Sequence, residues 1–210
     1  ENVKNMPPSG IRKYFDMVHE MEGVISLGVG EPDFVTPWNV REAGIYSLEK
    51  GHTHYSSNAG FLELRYEISR YLYRRFNLSY HPENEILVTV GGSEGIDLAL
   101  RALVGPGDEV IIPEPSFVAY KGCTTFTGAT PKVIELKAEN EFKLTKEELL
   151  EAITPKTKVL IMPFPNNPTG AIMTKEELQE IVDVLKDKEI IIISDEIYAE
   201  LTYQTQHVSI

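Results

Sequence analysis

Thr157-Lys158-Val159-Leu160-Ile161-Met162, followed at once by Pro163-Phe164-Pro165-Asn166-Asn167-Pro168-Thr169-Gly170, is the stretch on which the fold turns. Its apolar run lacks polar alternation, so it reads as a strand covered on both faces, the mark of a parallel sheet flanked by helices. A second run, Ile190-Ile191-Ile192-Ile193, leads into Ser194-Asp195-Glu196-Ile197-Tyr198 and reads the same way. Both strands therefore end in polar clusters.

Working outward, β-branched runs at 85–90, 108–112, 131–136, 157–162 and 189–194 alternate with amphipathic stretches at 93–104, 117–125, 145–153 and 174–186. Such alternation predicts an α/β fold. Two helix starts are marked by capping boxes, Thr145 with Glu148 and Thr174 with Glu177, where hydroxyl and carboxylate satisfy each other's orphan amides. Upstream, 38–50 and 61–76 read as helices joined by a polar loop over 51–60, and the first 36 residues read as an arm. No internal repeat, low-complexity tract or flexible linker interrupts the chain.

With 210 residues, 42% apolar and 25% charged, the chain can bury a sizeable core. A formal charge of −12 argues against nucleic acid or an anionic membrane as the main partner, since both demand clustered Lys and Arg. Cys123 is the single cysteine, which excludes an internal disulfide, and it reads as a packing residue. The five histidines show no ligand spacing, so no metal is expected. Neither a secretory leader nor a membrane-spanning stretch is evident, which makes a reducing cytoplasm the default.

In an open parallel sheet, ligands bind beyond the carboxyl ends of the strands. There, Gly91-Gly92-Ser93-Glu94-Gly95 opens a helix whose free amides and dipole suit a phosphate, although a plain turn capped by Ser93 explains it equally well. The segment is neither a complete dinucleotide fingerprint nor a Gly-Lys-Ser/Thr loop. Asn166-Asn167-Pro168-Thr169-Gly170 taken alone is an ordinary rigid turn. Asp195 at a strand end would be costly to desolvate without a cationic partner, and Tyr198 falls on the same side of a helical turn. A capping Asp with a packed Tyr is the bland alternative.

Taken in order on successive strand ends, these motifs resemble class I aminotransferases, the fold type I pyridoxal-phosphate enzymes, over residues 25–210. Leu27-Gly28-Val29-Gly30-Glu31-Pro32-Asp33, Tyr55-Ser56-Ser57-Asn58-Ala59-Gly60 and Pro113-Glu114-Pro115-Ser116-Phe117-Val118-Ala119-Tyr120 extend the likeness. The resemblance implies a mostly parallel sheet flanked by helices, incomplete at its C-terminal end. Residues 1–40 would form an arm and a small-domain segment, and 41–210 the large domain that binds pyridoxal 5'-phosphate.

By the same resemblance, Asp195 would face the pyridine nitrogen, where a carboxylate favours the protonated, electron-accepting ring. Asn167 and Tyr198 would bind the phenolic oxygen, and Phe117 would stack on the ring. Gly92, Ser93 and the amide of Glu94 would cup the phosphate, with the Glu94 side chain turned away. Tyr55 would reach the phosphate of a neighbouring subunit, which implies a homodimer. Gly30 and Asn167 would lie beside the substrate carboxylate.

The likeness also implies a Schiff-base lysine in a Ser-x-x-Lys context and a carboxylate-forking arginine beyond Tyr198, and neither follows. The chain is thus expected to be a portion of a longer enzyme, inactive alone, and no catalytic base is assigned in it. The implied reaction moves an amino group from an L-amino acid to a 2-oxo acid, in the manner of the aspartate and aromatic subgroup. A β-lyase of the same fold and a non-catalytic cofactor-binding sensor remain as alternatives.

Overall fold

Alternation of side chains across the strands decides what each face of the sheet buries. The computed structural model describes residues 34–203 and 205–210, together with the isolated positions 4, 14, 17, 21, 23 and 25. Its elements are α1 (Trp38–Glu49), α2 (Leu62–Phe76), α3 (Gly91–Leu103), β1 (Glu109–Glu114), α4 (Ala119–Thr127), β2 (Thr130–Glu135), α5 (Lys146–Ala152), β3 (Thr157–Met162), α6 (Lys175–Leu185) and β4 (Ile191–Ser194), with 3-10 turns at Ala138–Asn140 and Ala199–Leu201. The four strands run parallel in the order β2-β1-β3-β4.

Ile111, Leu160 and Met162 point to one face, where Leu149 of α5 and Leu178, Ile181 and Leu185 of α6 meet them. Val110, Ile112, Val159 and Ile161 point to the other, against Ile96 and Leu100 of α3 and Tyr120 of α4. Each fully buried Leu or Ile is worth about 1.5–3 kcal/mol relative to exposure, so the paired clusters make this layer the stable centre of the chain. Both predicted capping boxes form. Glu148 N–H donates to Thr145 Oγ1 at 3.3 Å and Thr145 N–H to Glu148 Oε2 at 3.1 Å, while the corresponding bonds at Thr174 and Glu177 are 3.3 and 2.7 Å.

One sequence expectation needs correction. Residues 85–90 form no strand, because among the described residues they have no neighbour to complete a ladder; instead Val88 N–H donates to Ala59 O at 3.1 Å. As its apolar run predicts, β4 is packed on both faces, Ile192 against the cluster under α5 and α6 and Ile193 against the cluster under α3 and α4.

The segment before α3 is fastened to α2 rather than to the sheet. Arg65, buried in α2, donates from Nη1 to Pro82 O and Glu83 O at 2.8 and 2.9 Å. Gly60 closes the loop over 51–60 at φ +91°, and an added Cβ would lie 2.6 Å from Val88 Cβ, so backbone and packing both demand glycine. By contrast, α1 buries none of its residues.

Candidate active site

Because β1 connects to β2 on one side and β3 then joins β1 on the other, the direction of winding reverses between β1 and β3. At such a point the loops leaving adjacent strands diverge and open a crevice. A cavity of about 160 Å³ lies there, lined in part by Gly92, Ser93, Phe117, Tyr120, Asn167, Asp195 and Tyr198. Those side chains come from the start of α3 and from the chain leaving β1, β3 and β4.

The backbone of Asp195 continues the sheet by one bond, its N–H donating to Met162 O at 2.9 Å. Its half-buried carboxylate pairs with no cation among the described residues. Oδ2 accepts from Tyr120 Oη at 2.7 Å and Oδ1 from Ile197 N–H at 3.2 Å. A carboxylate has about four acceptor positions, so both oxygens keep capacity for a donor in the cavity. Burial, reinforced by this bond to Asp195, pushes the Tyr120 phenol well above its ordinary range and keeps it a donor. Tyr120 was not assigned a role from sequence; its position three residues after Phe117, on the same side of a helical turn, was the available signal.

Phe117 is half-buried and meets Tyr120 edge to face at 5.7 Å between centroids. Asn167 is exposed, and its Nδ2 donates to Tyr198 Oη across 3.4 Å, a long bond. Asn166 has a different part. It is 4% exposed, donates from Nδ2 to Pro115 O at 3.2 Å and accepts from Thr169 N–H at Oδ1, so it ties the loop after β3 to the loop after β1. The peptide bonds preceding Pro115, Pro165 and Pro168 are cis.

No side chain caps α3, unlike α5 and α6, so its first amides are not occupied by a hydroxyl or carboxylate cap. The Glu94 carboxylate is turned back onto Val90 N–H. Nothing lies within 4 Å of where a Cβ on Gly92 would project. Tyr55 stands apart from this group, fully exposed on its loop. Gly30 lies outside the described residues.

The protein-family model for aminotransferase class I and II matches residues 22–210. The chain belongs to that family. Among its relatives, the Bacillus subtilis protein named "Putative aminotransferase YugH" is 55% identical over 208 residues, covering 99% of this chain and 54% of the relative. Aromatic-amino-acid aminotransferase 2 of Thermococcus litoralis is 41% identical over 203 residues, covering 97% and 52%. The solved structure of Thermus thermophilus aspartate aminotransferase with maleate superposes with a TM-score of 0.92 at 37% identity, covering 99% of this chain and 55% of that one. The chain thus spans about half the length of the curated relatives it matches.

Class I and II aminotransferases depend on pyridoxal 5'-phosphate, and the residues gathered here suit it. An uncapped helix start offers amides to an anion, Phe117 offers a ring edge and face, and Asp195 offers a carboxylate held from behind. Cys123 belongs to the packing of the α3–α4 face, where burial first and Asp97 second push its thiol upward. Among the described residues no helix is long and apolar enough to cross a membrane, and no trio of His, Cys, Asp or Glu is grouped to hold a metal.

Proposed function

We propose that the complete protein transfers an amino group from an L-amino acid to a 2-oxo acid with pyridoxal 5'-phosphate, as aspartate- and aromatic-type transaminases do. The observation that carries this reading is the meeting of Ser93, Phe117, Asn167, Asp195 and Tyr198 around one cavity at the point where the sheet reverses its winding. When bound, the cofactor supplies an electron sink for the carbanion left at the amino acid's α-carbon.

The chain's own residues bind and orient that group. The first turn of α3, with the Ser93 hydroxyl, would hold the phosphate, and Phe117 would fix the plane of the ring. Asp195 would hold a proton on the ring nitrogen, and Tyr120 stops the carboxylate from rotating away. Asn167 and Tyr198, already in contact, would address the phenolic oxygen from one side. Each contact is oriented before the ligand arrives, which lowers the reorganisation needed during reaction.

The reading includes a homodimer in which Tyr55 enters the neighbouring subunit's site. Its support is that Tyr55 lies open on its loop, close in sequence to α1, where Trp38, Ile45, Tyr46 and Leu48 are all exposed. It also includes a cytoplasmic setting. Initial-rate kinetics of the complete protein with an amino acid and a 2-oxo acid test the activity: parallel lines are expected, and intersecting lines reject the transaminase. Ammonia release without an oxo acid would reassign it to β-elimination.

A further inference from the structure

The C-terminal half of α2 meets the chain that carries Asp195 and Tyr198 in two places, directly at Glu200 beyond Tyr198 and, through Phe76 against His207, at Glu196 between the two. On the far side, Glu200 receives three bonds from α2: Tyr71 Oη at 2.6 Å and Arg75 Nε at 2.8 Å on Oε1, and Arg75 Nη2 at 3.2 Å on Oε2. Nearer β4, Glu196 accepts from Ser194 Oγ at 2.8 Å and Ser209 Oγ at 2.7 Å, and its second oxygen meets His207 Nε2 at 2.8 Å. The His207 side chain is only 8% exposed, and its ring stands perpendicular to Phe76, the last residue of α2, at 5.8 Å.

As a source of stability this arrangement is weak. Arg75 and Glu200 are 31% and 52% exposed, and solvent screens an ion pair in that position. Its geometry is more specific than its energy. The Arg75 fork is bidentate, Tyr71 adds a third donor, and partners 125 and 129 residues apart in sequence are brought together. Tyr198 is the N-cap of the 3-10 turn that contains Glu200, and Leu201 N–H bonds back to Tyr198 O at 2.9 Å. Restraining Glu200 therefore restrains the residue that contacts Asn167.

We propose that Tyr71, Arg75 and Phe76 are positioning residues that act through Glu200 and the His207–Glu196 pair to set the orientation of Tyr198 and Asp195. This rests on the cofactor reading above. Since α2 follows directly from the loop carrying Tyr55, the same helix connects the two segments assigned to two different subunits' sites.

The test uses the complete protein loaded with pyridoxal 5'-phosphate, comparing wild type with Glu200→Ala, Arg75→Gln, Tyr198→Phe and the double variant of Glu200→Ala with Tyr198→Phe. Cofactor dissociation constant, visible circular dichroism of the bound ring, kcat and KM are measured, with thermal melts as a control. Glu200→Ala and Arg75→Gln should each weaken cofactor binding about fivefold, the effect of one hydrogen bond. Both should change the ring's dichroism as Tyr198→Phe does and lower kcat more than they alter KM. The double variant should add little to Tyr198→Phe, because both changes act through one residue. Lower melting temperatures with unchanged dichroism and affinity would overturn the positioning role while leaving the cofactor reading intact. A wild-type protein that binds no cofactor would overturn both.

Discussion

Tyr120 Oη lies 2.7 Å from Asp195 Oδ2, joining the first turn of α4 to the residue that follows β4. The bond is made by a side chain 2% exposed, so it fixes the carboxylate from the interior and leaves the cavity side free. A buried donor of this kind costs little when satisfied and is expensive to orphan.

Removing the hydroxyl isolates that contribution. Tyr120→Phe keeps the ring and its packing on Phe117, and should slow turnover of the complete protein by about tenfold, with a stability loss of about 1 kcal/mol. Steady-state kinetics and urea melts measure the two effects. Unchanged turnover would show that Asp195 needs no support from this side.

Asp195 itself should matter far more. Asp195→Ala is expected to leave the circular dichroism of the backbone unaltered while lowering kcat by roughly a thousandfold, the scale of losing a preorganised electrostatic group. A tenfold effect or less would mean that another carboxylate serves the ring.

Ser93→Ala separates binding from chemistry. With the backbone amides of α3 retained, affinity for the cofactor should fall by about fivefold, and kcat at saturating cofactor should hardly move. Equilibrium dialysis against pyridoxal phosphate reads the first quantity. A large fall in saturated kcat would place Ser93 at the reacting atoms rather than at the phosphate.

Gly60→Ala tests the closure of the Tyr55 loop. Its Cβ would meet Val88 at 2.6 Å in a backbone region that L side chains rarely adopt. The variant should lose about 1–3 kcal/mol of stability in chemical denaturation. Full stability would show that the loop rests elsewhere.

Acid should weaken the contact between α2 and Glu200. Arg75 first, then Tyr71, hold the Glu200 carboxyl below the ordinary glutamate range. A depressed carboxyl contributes its stabilisation in full above the unfolded value, and that contribution disappears as pH falls through the folded one. The melting temperatures of wild type and Glu200→Gln should therefore differ slightly at neutral pH and converge in strong acid. A gap that stays constant would assign the difference to something other than this titration.

Much of the sheet and its helices was legible because each signal was local. The capping boxes at Thr145 and Thr174 mark helix starts by side-chain chemistry within four residues, and the unbroken run at Val159 announces two covered faces. Residues 85–90 misled for the opposite reason. Strand propensity says that a segment can pair, whereas a ladder also requires a neighbour that the segment cannot specify.

For the site, strand-end position and motif order drew attention to Asn167, Asp195, Tyr198 and Ser93, the family resemblance added Phe117, and the fold brings all five to one cavity. The bonds of Tyr120 to Asp195, Asn166 to Pro115, Glu196 to His207 and Glu200 to Tyr71 were not legible. Those partners lie 11 to 129 residues apart, and no spacing rule reaches that far.

The distances along the chain that separate the cavity's walls also bear on how the protein matures. Tyr120 and Asp195 are 75 residues apart, and they meet only after β1, β3 and β4 have come into register. Parallel pairing of this kind is slow, because chain entropy is lost before the contacts repay it. A chain emerging from the ribosome therefore has no assembled cavity until β4 has docked, so uptake of the cofactor would follow that docking rather than precede it.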